Sequence, residues 1–121
     1  MEKLTKELLG LSGEYAVATE LCKRGIYAQL TLGHHNRTDI LVETEYRMLR
    51  IQVKAKQGNE WPSILGLYRD DDLLVLVDFK NKNEDERPDF YILDFDGWKT
   101  MIKEEKQNYP EVQVDKQFRI T

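Results

Sequence analysis

Apolar residues recur at close to helical spacing over the first 25 positions, through Leu4, Leu8, Leu11, Val17, Ala18 and Leu21, and Gly25 stands where a helix would end. The run Gly10-Leu-Ser-Gly13 interrupts this pattern. Either Ser12 caps a second helix, or one helix passes through with Gly13 as a close-packing point. From Ile26 to Leu32 the pattern becomes strand-like, followed by the polar loop Gly33-His-His-Asn-Arg-Thr38. Asp39 to Glu43 and Met48 to Ala55 are two β-rich runs whose four-residue connection, Thr44-Glu-Tyr-Arg47, has the spacing of a hairpin. In the second run Leu49, Ile51, Val53 and Ala55 alternate with Arg50, Gln52 and Lys54, which gives one core face and one polar face.

Further along, Asp70-Asp-Asp72 reads as a turn before a strand from Leu73 to Phe79, whose continuous apolar run Leu73 to Val77 suits a strand covered on both faces. Segment 80–89 reads as an exposed loop, and Phe90 to Phe95 as another strand. A helix then opens at Asp96-Gly97 with Asp96 as its cap. It runs to about Gln107 and turns Trp98, Met101 and Ile102 inward. The tail 111–121 has weak strand character. The whole order predicts an α/β domain in which helices flank a mixed central β-sheet.

With 121 residues and no repeat or Pro/Gly/Ser-rich linker, residues 1–121 read as one domain. The longest apolar run, Leu73 to Val77, is far short of the ~20 residues of a membrane span. A signal peptide is not recognisable either. Cys22 is the only cysteine, so no internal disulfide or cysteine-built zinc site can form; that fits a reducing cytoplasm, and Cys22 itself reads as a small buried residue.

The net charge of -4 argues against a cationic coat protein. It conceals a segregation, however. Residues 20–56 hold seven Lys or Arg against four Asp or Glu, whereas residues 69–97 hold four against ten. The negative segment is expected to face away from the positive one.

The chemistry concentrates in Glu14, Asp39, Gln52 and Lys54. Gln52 and Lys54 leave one strand face about 6.6 Å apart at Cα, and hairpin pairing brings Asp39 near them. Glu14 shares a helical face with Ala18 and Leu21, so its carboxylate leans towards the core and wants a partner there. Asp39 as a hard oxygen ligand and Gln52 as an amide oxygen donor suit Mg²⁺, which needs few protein ligands. Lys54 would point at a bound phosphate or water. Taken singly, each residue also has an ordinary role: a turn-forming Asp, or a solvated Gln and Lys. Glu43 is on the Asp39 face but about 13 Å along the strand, too far to share an ion.

Gly13-Glu14, the helix ending Leu21-Cys-Lys-Arg-Gly25, a strand, Arg37-Thr38-Asp39, a hairpin and Ile51-Gln52-Val53-Lys54 together resemble the PD-(D/E)xK nuclease superfamily. Within it they are most similar to small Holliday-junction-resolvase-like and homing-endonuclease-like members. The resemblance covers residues 10–57 and implies a restriction-endonuclease-like fold, with DNA as partner and Mg²⁺ or Mn²⁺ as cofactor. It makes Glu14 the helix-borne acidic residue, Asp39 the central metal ligand and Lys54 the catalytic lysine. Gln52 stands at the position of the second acidic residue and Thr38 at that of the proline. Gln52 keeps an oxygen donor and removes a negative charge, which leaves Glu14 to supply the second one. The implied activity is metal-dependent hydrolysis of DNA phosphodiester bonds; at this size, with one active site per chain, a homodimer is the expected route to paired cuts. The alternative is a catalytically inactive relative that binds nucleic acid or another protein.

Arg37, Arg50, Lys56 and His35 are the candidate phosphate contacts, because most affinity for nucleic acid comes from its backbone. His34-His35 has neither the spacing nor the third ligand of a transition-metal site. Trp98 reads as a packing residue and Trp61 as the more exposed tryptophan.

Overall fold

In a computed structural model that describes residues 1–31, 38–64, 66, 67 and 69–108, with Glu105 for its backbone alone, the first helix starts at a threonine. The Thr5 hydroxyl accepts the Leu8 N–H at 3.2 Å and so satisfies one of the free amides of the first turn. Helix α1 (Lys6–Lys23) then runs unbroken through both glycines. Of the two sequence alternatives, the single helix holds. Gly25, at φ 79°, takes the left-handed conformation that turns the chain out of α1.

Five strands follow: β1 (Tyr27–Leu30), β2 (Ile40–Glu43), β3 (Met48–Lys56), β4 (Asp72–Asp78) and β5 (Asp89–Asp94), then helix α2 (Phe95–Asn108). They form one sheet in sequence order, β1-β2-β3-β4-β5. Neighbours are antiparallel except β3 and β4, which run parallel. The expected α/β architecture, a mixed sheet flanked by helices, is therefore present. No helix among the described residues is long and apolar enough to cross a membrane.

The period of two along β3 decides what covers each face. Ile51, Val53 and Ala55 join Ile40, Val42, Val75 and Val77 under Val17 and Ala18 of α1. On the opposite face Leu74 packs with Leu67, Trp98 and Ile102, so α2 and the β3–β4 crossover form the second layer. β4 is thus covered on both sides, as its unbroken apolar run required. The Gln52 face is not merely solvated, for Gln52 itself is only 3% exposed.

Four details differ from the sequence reading. Cys22 is exposed, because the residue after Leu21 is turned about 100° round the helix, away from the sheet. Met101 is 37% exposed while Trp98 and Ile102, one turn apart, form the inward line of α2. Asp94, not Asp96, caps α2 by accepting the Gly97 N–H at 2.7 Å, and Asp96 pairs with Lys99 at 3.4 Å. The negative segment does not face away: the parallel pairing sets Arg50 beside Asp72 and Lys56 beside Asp78. The expected strand character of residues 111–121 lies outside the described residues.

Gly13 is the tightest point of the interlayer packing. A Cβ added there would stand 2.9 Å from the Ala55 Cβ, a rigid neighbour that cannot swing aside. Gly13→Ala is expected to lower stability by about 1–2 kcal/mol, because overpacking outweighs the gain in helix propensity. Ala55→Gly in the same chain should recover part of that loss. Urea denaturation of the two single variants and the double variant checks the coupling, which is zero if the contact is unimportant.

Candidate active site

The regular ladder between β2 and β3 ends at Ile40, and Asp39, just before it, holds the gap. Its N–H donates to the Ile51 carbonyl at 2.8 Å. Its side-chain Oδ2 accepts the Val53 N–H at 2.7 Å, taking the position that a backbone carbonyl would occupy in a continuing strand. The carboxylate is thereby fixed against the middle residue of Gln52-Val53-Lys54. Burial pushes the Asp39 pKa up, against the downward pull of the Val53 N–H and the Lys54 ammonium.

Glu14 reaches the same place from α1. It follows Gly13, so the close approach of the helix to Ala55 sets how deep its carboxylate lies. It is half-buried, and burial followed by the Asp39 charge raises its pKa. The Asp39 charge thus disfavours ionisation of a carboxylate that comes from a different element. Lys54 offsets the charge of Asp39.

Gln52 and Lys54 leave β3 on the face opposite the Val53 side chain. Gln52 Oε1 is fully buried and accepts no hydrogen bond among the described residues, an arrangement that costs free energy unless something else binds the oxygen. The coupled carboxylates of Glu14 and Asp39 fit a hard divalent cation, and the orphaned Gln52 oxygen is a further donor on the face of β3 away from α1. The donors number only two acids and an amide. Among the described residues no group of three or more His, Cys, Asp or Glu is arranged to hold a metal.

The basic residues distribute unevenly around this centre. Arg50 is one step along the Gln52 face, half-buried, with Nη1 enclosed and lacking a hydrogen-bond partner among the described residues. Lys56, one step the other way, lies 3.7 Å from Asp78 and 4.7 Å from the Trp61 ring centroid. Lys23 and Arg24 are drawn to Glu20 at the far end of α1, where Arg87 also forks onto that carboxylate at 2.8 and 2.9 Å. Those contacts pull the Glu20 pKa well below the usual carboxylate range. His34, His35 and Arg37 lie outside the described residues.

Sequence reasoning missed one element beside the site. Gln57, just past β3, donates from Nε2 to the Glu2 carbonyl at 2.7 Å and accepts the Leu4 N–H at 2.9 Å. This two-bond clasp lays segment 1–5 along the end of β3. Contacts between residues more than 50 positions apart leave no periodic signal, so no sequence feature could have indicated it.

The arrangement of strands and helices is similar to that of the solved bacterial homing endonuclease I-Ssp6803I. The match has a TM-score of 0.59 over 78% of this chain and 68% of that one, at 21% identity. At that identity the likeness is one of fold. No protein-family model and no curated protein sequence matches the chain.

The raised carboxylates determine how stability depends on pH. Both bind protons more tightly folded than unfolded, so their contribution to stability is fully present below the unfolded pKa of about 4 and is lost as pH rises through the raised folded values. In EDTA, Glu14→Gln should therefore be more stable than wild type at neutral pH and equal to it below about pH 4. Urea unfolding across that range checks this, and a pH-independent difference contradicts it. Asp39→Asn retains an acceptor for the Val53 N–H. Asp39→Ala does not, and should unfold with about 1–3 kcal/mol less stability than the Asn variant in the same denaturation assay.

Proposed function

We propose that the chain is a divalent-metal-dependent endonuclease that hydrolyses DNA phosphodiester bonds. The observation that carries the proposal is the coupling of Glu14 to Asp39, both with raised pKa, and of Asp39 to the Gln52-Val53-Lys54 run through the Val53 N–H and the Lys54 ammonium. The fold shared with a homing endonuclease structure supports the same reading.

Glu14, Asp39 and Gln52 are the residues that would hold Mg²⁺ or Mn²⁺. When bound, such an ion neutralises the scissile phosphate, acidifies an attacking water and steadies the leaving oxygen. The protein's own part is positional and electrostatic. Asp39 is fixed by the Val53 N–H, so its free oxygen is oriented before substrate arrives. Lys54, on the same strand two residues from Gln52, orients the attacking water and stabilises negative charge that gathers on phosphorus. Gln52 contributes an oxygen without a charge, which weakens cation binding relative to a third carboxylate and leaves the pocket less repulsive to phosphate. The cuts fall on both strands only if two copies act together, so a homodimer is the assembly proposed for duplex cleavage.

A metal-free relative that only binds nucleic acid remains the competing reading, favoured by Gln52 in place of an acid. Divalent ions separate the two. At ten times its Kd, Mn²⁺ should stabilise the wild type by about 1.4 kcal/mol, or about 5 °C in Tm, and leave Asp39→Asn unmoved. Assays on branched, duplex and single-stranded DNA should show cleavage that needs Mg²⁺ or Mn²⁺ and disappears in Asp39→Asn. Lys54→Ala should retain the Mn²⁺ shift while cleavage falls about 100- to 1000-fold. Neither a Tm shift nor cleavage in the wild type would mean that the nuclease reading is wrong.

A further inference from the structure

Segment 1–5, the first turns of α1, the end of β3 and the loop after it enclose a cleft of ≈1020 Å³. It meets the proposed site at Val53 and Lys54, whereas Glu14, Asp39 and Gln52 are not among its lining residues. Lys3, Lys6, Lys54 and Lys56 line it against one acid, Glu60. Lys56 is occupied by Asp78 and Trp61. Lys3 and Lys6 are exposed and have no acidic partner within ion-pair distance among the described residues. In a chain of net charge -4 this cleft has four lysines against one acid in its lining, with Lys3 and Lys6 outside any ion pair among the described residues, and it includes the lysine of the proposed site.

We propose that this cleft seats the sugar-phosphate backbone of DNA alongside the phosphate to be cut, with Lys3 and Lys6 contacting phosphates. Gln57 is a positioning residue: its clasp on Glu2 and Leu4 holds Lys3 over the cleft. Charge complementarity selects the occupant, because four lysines contributed by segment 1–5, α1 and β3 line one cleft against a single acid, a balance suited to a polyanion rather than to one small anion. The identity of the nucleic acid rests on the nuclease reading; the cleft itself rests on its lining. Trp61 lies in the cleft while Trp98 is 2% exposed, so DNA entering the cleft should alter the emission of one tryptophan and not the other.

The experiment is anisotropy of a fluorescein-labelled DNA duplex in EDTA, where cleavage does not interfere. Each lost phosphate contact lowers the slope of log K against log salt by about 0.9, so Lys3→Ala with Lys6→Ala should lower it by about 1.8. Between about 50 and 200 mM salt the wild-type advantage over that variant should shrink about tenfold. Gln57→Ala should lower the slope by about 0.9 with both lysines still present. Lys103→Ala with Lys106→Ala, which removes equal charge from α2, should bind as wild type does. A DNA-induced change in tryptophan emission should vanish in Trp61→Phe.

Parallel salt plots for wild type and the Lys3, Lys6 variant overturn the proposal, as does an equal loss in the α2 control or no DNA binding by the wild type. Cleavage that persists beside parallel salt plots refutes the cleft and spares the nuclease reading. A lysine-dependent slope in a protein that never cuts supports the cleft and refutes the nuclease reading.

Discussion

The structure depends on how closely α1 can lie on β3. Gly13 against Ala55 permits a separation at which any added carbon would collide, and Val53 and Val77 complete the floor of that contact. Because an α-helix is stiff, fixing one residue fixes its neighbours within a fraction of a turn. Glu14 is the immediate neighbour. Its half-burial, and the raised proton affinity that comes with it, follow from the depth that a glycine allows rather than from any feature of Glu14 itself.

A second constraint acts in the plane of the sheet. Where β2 parts from β3, the Val53 N–H would be left without its ladder partner, and the Asp39 carboxylate supplies one. One residue thereby completes a backbone hydrogen bond and brings a carboxylate to the strand that carries Gln52 and Lys54. The structural role and the proposed chemical role of Asp39 coincide, so position and rigidity come from the same bond. Val53, meanwhile, turns its side chain into the α1 layer, which anchors the strand under both flanking polar residues.

Much of this was legible because period and spacing are local properties. The apolar stripe of α1, the four-residue hairpin connection and the alternation Leu49, Ile51, Val53, Ala55 each follow from neighbours in sequence, and together they bring Glu14, Asp39, Gln52 and Lys54 into one region. What was not legible depends on contacts distant in sequence. Gln52 alternates like a solvent-facing residue, yet the crossover after β3 and helix α2 bury that face. Lys56 looks like a free cation until the parallel pairing puts Asp78 beside it. The α2 cap was displaced by two residues because Asp94 and Asp96 both have cap chemistry, and only the end of β5 decides between them.

The charge distribution links these observations. β3 carries basic residues at both ends, and β4 answers with acids, Asp72 at one end and Asp78 at the other. Partial neutralisation along the strand pair removes Lys56 from the set of available cations and leaves Lys54, in the middle, opposite the apolar Leu76. Lys54 is thus the β3 lysine whose strand neighbour brings no countercharge. Its charge acts on Asp39, on the β2 side of the strand, instead of being tied to β4. An acidic chain can in this way hold a local cationic centre: Asp78 takes up Lys56 at the end of the strand and leaves its middle residue to the site.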